Sequence, residues 1–231
     1  MLIAGASSDS WYWHLVAPGL RGAGCGVVAV DLPLDDDACG VADYVAVTLD
    51  AIGARTGVHL VAHSMAAYTA TIVAARVPVD ELVLVCPMVP APGETPGEWW
   101  VATGQPDAAR AYAVAEGRDP DAPFDPVVVF LHDVDAAMVA ESARHVLRQS
   151  DRPFADPWPL DAWPDVRTRC VVGRHDRLFP LDFQRRVVRA RVGIDPDVID
   201  SGHLPALGRP DELTRWLLDD RAGRRISGRG R

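Results

Sequence analysis

The stretch His59-Leu60-Val61-Ala62-His63-Ser64-Met65-Ala66-Ala67 decides how this chain is read. Its apolar centre, Leu60-Val61-Ala62, fits a short strand buried on both faces. Ser64 follows at once, and a helix-like pattern opens directly behind it. A serine on so abrupt a strand-to-helix turn is the layout of a nucleophile elbow, written G-x-S-x-G, where crowding admits only small residues on either side. Here those flanking residues are Ala62 and Ala66 in place of glycine.

Outward from the elbow, β-type and helical patterns alternate. Strand-like runs fall at Met1–Ala4, Val27–Asp31, Val58–His63, Leu82–Cys86, Arg169–Gly173 and Asp197–Ile199. The central ones are nearly continuous in Val, Leu and Ile, as parallel strands covered on both faces require. Between them, helices are expected over Asp43–Arg55, Met65–Ala75, Leu181–Arg191 and Pro210–Asp219, the last with Pro210 suited to a first helical position. Alternation of this kind predicts an α/β fold with a doubly wound, mostly parallel six-stranded sheet.

The pattern breaks between the fourth and fifth strands. Pro87-Met88-Val89-Pro90-Ala91-Pro92-Gly93 reads as loop, prolines recur as far as Pro164, and two helical patterns appear near Pro106–Glu116 and Asp135–Arg148. The expected organisation is therefore a core from 1–87 and 166–220, with 88–165 inserted as a helical cap over the carboxyl edge of the sheet. Residues 221–231 read as a flexible basic tail.

Composition narrows the function. The 231 residues suit one domain, and 48% hydrophobic with 24% charged residues suits a soluble globular protein. A formal net charge of -9 argues against nucleic-acid binding by the body of the chain. The four cysteines, Cys25, Cys39, Cys86 and Cys170, form no Cys-x-x-Cys pair, and the seven histidines show no metal-ligand spacing. No metal or organic cofactor is expected. No run is long and apolar enough to span a membrane, and Met1-Leu2-Ile3-Ala4-Gly5 lacks the features of a signal peptide. A cytoplasmic location is the expectation, with monomer and homodimer both open.

A serine hydroxyl needs an adjacent base to act as a nucleophile. His203, in Ile199-Asp200-Ser201-Gly202-His203-Leu204, lies just past the last strand on a glycine-bearing loop. Asp176, in Val171-Val172-Gly173-Arg174-His175-Asp176-Arg177, also lies just past a strand; Asp165, Asp197 and Asp200 are its rivals. The acid's task is to hold the imidazole tautomer and stabilise the imidazolium. Two backbone N–H groups should form an oxyanion hole, one from Met65 after the nucleophile and one from Ala6 after the first strand. Trp11, Trp99 and Trp100 are candidate pocket walls; for Trp99 and Trp100 the competing role is to pin the cap to the core.

The chain resembles small α/β-hydrolases of the plant methylesterase and hydroxynitrile lyase type, in particular bacterial esterases of that group. The resemblance is carried by Gly5-Ala6, Trp11-Tyr12-Trp13, Val30-Asp31-Leu32-Pro33, His63-Ser64-Met65, Gly173-Arg174-His175-Asp176 and Gly202-His203-Leu204. Its chain order, Ser then Asp then His, is that of the α/β-hydrolases. The resemblance implies a six-stranded core beginning with the N-terminal strand. It also implies a carboxylesterase-like serine hydrolase acting on a small or medium ester. The usual His-Gly after the first strand is Ala4-Gly5 here, and with the first strand at Met1 the true start is expected a few residues upstream. In the hydroxynitrile lyases a threonine follows that histidine and a lysine follows the catalytic histidine; here Gly5 and Leu204 stand in those places, which favours the esterase. Two alternatives remain: a C–C lyase on the same triad, and a non-catalytic ligand-binding homologue.

Overall fold

The computed structural model describes residues 1–219. The expected tail at 221–231 lies outside the described residues. In chain order the elements are β1 (Leu2–Ile3), α1 (Val16–Gly22), β2 (Ala29–Val30), α2 (Val41–Ile52), β3 (His59–His63), α3 (Ala66–Arg76), β4 (Glu81–Val85), α4 (Pro96–Thr103), α5 (Gln105–Ala115), α6 (Pro126–Phe130), α7 (Ala136–Ser142), β5 (Thr168–Gly173), α8 (Leu181–Val192), β6 (Asp197–Ile199), α9 (Pro205–Gly208) and α10 (Pro210–Leu218).

The six strands form one sheet in the order β2-β1-β3-β4-β5-β6, and every pairing is parallel. Side chains alternate across it as the strand period requires. Leu60, Ala62, Leu82, Leu84, Cys170 and Val172 join one core with residues of α2, α3 and α8. Val61, Val83, Val85 and Val171 join the other with residues of α1 and α10. The sheet is thus wound on both faces, and its order reverses between β1 and β3. In open α/β sheets that reversal opens a crevice outside the carboxyl ends of the strands. Ala6 follows β1 and Ser64 follows β3, so both face this crevice.

Element boundaries depart from the sequence pattern where capping decides them. The second helix begins two residues before the expected Asp43, because the Asp43 carboxylate reaches back to the Gly40 N–H at 2.8 Å and caps from inside the first turn. It ends at Ile52 because Gly53 takes a positive φ of 54°. The helix α4 was not anticipated from the sequence. Thr95 and Glu98 close a capping box on it, Pro96 opens it and Gly104 ends it in the left-handed region. The helix expected over Asp135–Arg148 stops at Ser142, because the chain beyond it leaves the helical path and Ser8 pairs with Val146 in an antiparallel bridge.

Candidate active site

Ser64 sits at the carboxyl end of β3 with φ +53°, a left-handed conformation that non-glycine residues rarely adopt. The turn is held from two directions: the Ser64 N–H donates to the Val85 carbonyl at 3.0 Å, and the Ser64 carbonyl accepts from the Met88 N–H at 3.1 Å. Ala62 and Ala66 are both buried at the flanks. Gly5 presses against the elbow from β1. A Cβ there would lie 2.9 Å from His63 Nδ1 and 3.0 Å from Ser64 Cβ, so only glycine fits.

The structure brings together the three residues singled out as a triad. His203 Nε2 lies 3.1 Å from Ser64 Oγ, and His203 Nδ1 lies 2.7 Å from Asp176 Oδ2. A carboxylate only accepts, so Nδ1 carries the proton and Nε2 is left to accept from the serine hydroxyl. Asp176 is fully buried, and its other oxygen accepts the N–H groups of Leu178 and Phe179 at 2.9 and 2.8 Å. The loops bearing His203 and Asp176 approach so closely that a Cβ on Gly173 would collide with the Gly202 carbonyl. The rival Asp200 points to the surface, 2.8 Å from His175 Nε2.

Beneath the imidazole, the His63 ring donates from Nε2 to the His203 carbonyl at 2.9 Å. Burial, followed by the nearby His203 charge, holds the His63 pKa well below the ordinary histidine value, so this ring is a neutral donor. The Phe179 ring meets His203 edge-on with centroids 4.9 Å apart, and Phe130 covers it at 5.5 Å. Neither phenylalanine was singled out by sequence reasoning: Phe130 reaches the site from α6, and Phe179, just past Asp176 on the same loop, belongs to no motif.

The amides of Ala6 and Met65 donate no hydrogen bond to another described residue. The neighbouring Ser7 N–H is occupied, donating to Gln149 Oε1 at 3.3 Å. Above the serine lies a cavity of about 340 Å³ that Ala6, Ser64, Met65 and His203 share with Trp11, Met88, Trp100, Phe124, Phe130, Phe154 and other apolar side chains. Trp11 and Trp100 line this cavity. Trp99 does not: it is fully buried, donates its indole N–H to the Val89 carbonyl at 2.8 Å and packs on Phe179 and Phe183. On adjacent helical positions the two side chains leave α4 in different directions; the indoles still meet edge-on at 5.5 Å, with Trp99 packed into the core and Trp100 lining the cavity.

A larger groove, about 730 Å³, lies at the amino edge of the sheet between Met1, Arg55, His59 and Arg169 and touches none of the triad. Among the described residues, one grouping of three potential metal-ligating side chains exists: Cys86, Asp176 and His203, with ligand atoms within 4.8 Å of one another. Two of its members are already joined by a hydrogen bond. Burial, then the Asp176 charge, pushes the Cys86 thiol up.

The model of the alpha/beta hydrolase family matches residues 1–216, and the chain belongs to that family. No curated protein matches. Among solved structures, polyneuridine aldehyde esterase superposes with a TM-score of 0.75 at 19% identity over 94% of this chain and 96% of its own. A pyrethroid hydrolase from Sphingobium faniae gives 0.75 at 22% identity over 94% of both chains. A methylesterase from Arabidopsis gives 0.73 at 20% identity over 94% and 96%. No helix among the described residues is long and apolar enough to cross a membrane.

Proposed function

We propose that this chain is a serine hydrolase that cleaves a small or medium carboxylic ester through an acyl-enzyme. The observation that carries the reading is the unbroken chain Ser64 Oγ–His203 Nε2, His203 Nδ1–Asp176 Oδ2, facing an apolar cavity lined in part by Ala6 and Met65, whose amides donate to no other described residue. The family and the esterases among its structural neighbours point the same way.

In this account the Ser64 hydroxyl attacks the ester carbonyl while His203 Nε2 takes its proton. Asp176 holds the resulting imidazolium in place. The carbonyl oxygen gathers negative charge and accepts hydrogen bonds from the Ala6 and Met65 amides, each such donor contributing about 10²–10³ in rate. His203 then protonates the departing alcohol, and water repeats the cycle on the acyl-serine. Lyase chemistry is less well supplied, because Gly5 has no room for a side chain and Leu204 carries no charge. Four free cysteines support a reducing, cytoplasmic setting.

The test is hydrolysis of p-nitrophenyl esters of increasing acyl length by the wild type and Ser64→Ala, with mandelonitrile cleavage assayed alongside. The account expects ester turnover, abolished by Ser64→Ala to within about 10³–10⁴ of the uncatalysed rate. Ester turnover that survives the substitution within tenfold, or cyanohydrin cleavage without ester hydrolysis, overturns it.

A further inference from the structure

We infer that Gln149, on the return limb of the 88–165 excursion, is a positioning residue that sets the oxyanion loop, so the excursion governs turnover as well as covering the cavity. The inference rests on the ester-hydrolase reading above and adds a role for a residue outside the triad and the oxyanion amides.

Residues 145–150 run alongside the loop that follows β1. The Leu147 N–H donates to the Ser7 carbonyl at 3.0 Å, Gln149 Oε1 accepts from the Ser7 N–H at 3.3 Å, and Ser8 bridges antiparallel to Val146. The His145 ring stacks flat on Trp11 with centroids 4.2 Å apart. Both backbone groups of Ser7 are thus held by the excursion.

Ser7 has φ +58°, a conformation a serine adopts only when its surroundings impose it. Gln149 is itself fixed to the core. Its amide Nε2 donates to the Tyr44 hydroxyl at 3.1 Å and to the Ser150 carbonyl at 3.1 Å, and the Ser150 N–H donates to the Leu34 carbonyl at 2.7 Å. A rigid line therefore runs from Tyr44 on α2, through Gln149, to Ser7.

The consequence falls on Ala6. With the Ser7 N–H consumed by Gln149, the Ala6 N–H just before it keeps no acceptor among the described residues, and neither does that of Met65. Without the Gln149 acceptor, the Ser7 amide loses its partner, and the loop relaxes toward an ordinary backbone that turns the Ala6 N–H off the oxyanion. Such a defect acts in the transition state and leaves ground-state binding alone.

The experiment compares wild type, Gln149→Met and Tyr44→Phe in steady-state hydrolysis of p-nitrophenyl acetate. Inhibition by a trifluoromethyl ketone, whose serine adduct places an oxyanion in the hole, and melting temperature are followed alongside. Acylation and deacylation both pass through an oxyanion, so kcat registers the loss whichever step limits. The expected result for Gln149→Met is a kcat lowered at least tenfold, within the 10²–10³ or so that loss of a whole donor costs. KM stays within about threefold, and ketone affinity falls by the same factor as kcat. Tyr44→Phe moves both quantities in the same direction by a smaller factor. A kcat within twofold of wild type in Gln149→Met, or in Tyr44→Phe if Gln149→Met does not fold, overturns the inference. So does a lowered melting temperature with ketone affinity unchanged. A wild type without ester turnover defeats the hydrolase reading instead, so the two failures are distinct.

Discussion

The carboxylate of Asp133 accepts a 2.6 Å hydrogen bond from the N–H of Gly202, the residue immediately before His203. Asp133 lies in the long excursion between β4 and β5, so that segment also touches the loop bearing the histidine. The fit depends on absent side chains: a Cβ on Gly202 would lie 2.6 Å from Asp133 Oδ1, and one on Gly208 3.0 Å from Oδ2. Asp133→Ala is expected to destabilise the protein by about 1.5–3 kcal/mol, the worth of a hydrogen bond to a charged group, and to lower kcat. Asp133→Asn keeps an acceptor and most of the activity. Urea denaturation and steady-state kinetics of both variants check this; an Asp133→Ala protein matching wild type in both would show the contact to be idle.

Asp176 and its rival Asp200 separate cleanly by place. Asp176→Asn keeps the shape of the site but offers the imidazole the wrong partner, and turnover should fall by up to about 10⁴. Asp200 meets His175 and Arg174 at the surface, so Asp200→Asn should leave kcat within about a factor of two, since exposed ion pairs contribute little. Kinetics on variants with matched circular dichroism decide it. A larger loss for Asp200→Asn would mean that the acid has been misassigned.

The adjacent indoles give opposite expectations. Trp99→Ala empties a fully buried site and should cost about 3–5 kcal/mol of stability. Trp100→Ala opens the wall of the cavity and should shift preference toward longer or bulkier esters at little cost in stability. Thermal melts and an ester panel distinguish the two. Equal stability losses, with unchanged ester preference for Trp100→Ala, would contradict the assignment.

His63 ties stability to pH. The folded protein holds this ring neutral by burial, while the unfolded chain protonates it near its ordinary value of 6.5. A depressed folded-state histidine contributes stability that is present above pH 6.5 and lost as the pH falls, at up to about 1.4 kcal/mol per pH unit. His132, also lowered chiefly by burial, adds to the same slope. His63→Gln should flatten the decline between pH 7 and 5. Urea denaturation across that range measures it, and parallel slopes for the two proteins would refute the neutral-donor account.

Much of this architecture is legible in the sequence because it is local. Leu60-Val61-Ala62, Leu82–Val85 and Arg169–Gly173 declare buried strands by composition, and Ser64, Asp176 and His203 each lie just past a strand end. The excursion is less readable, because its contacts are long-range. The Asp133–Gly202 hydrogen bond spans 69 residues and the Ser7–Gln149 bond 142, and neither leaves a periodic trace. The truncation of the helix expected to Arg148 has the same origin, since the pairing of Val146 with Ser8 overrides local helical preference. Trp99 and Trp100 are indistinguishable in sequence, and only the direction in which α4 packs separates anchor from wall.

The central claim, that Ser64 is the nucleophile activated by His203, is tested most directly by covalent capture. The protein is incubated with a fluorophosphonate, and its intact mass and modified peptide are read by mass spectrometry. The account predicts one adduct per chain, located on Ser64, absent in Ser64→Ala and formed far more slowly in His203→Ala. An adduct on another residue, or no adduct on a folded wild-type protein that still hydrolyses esters, would contradict it.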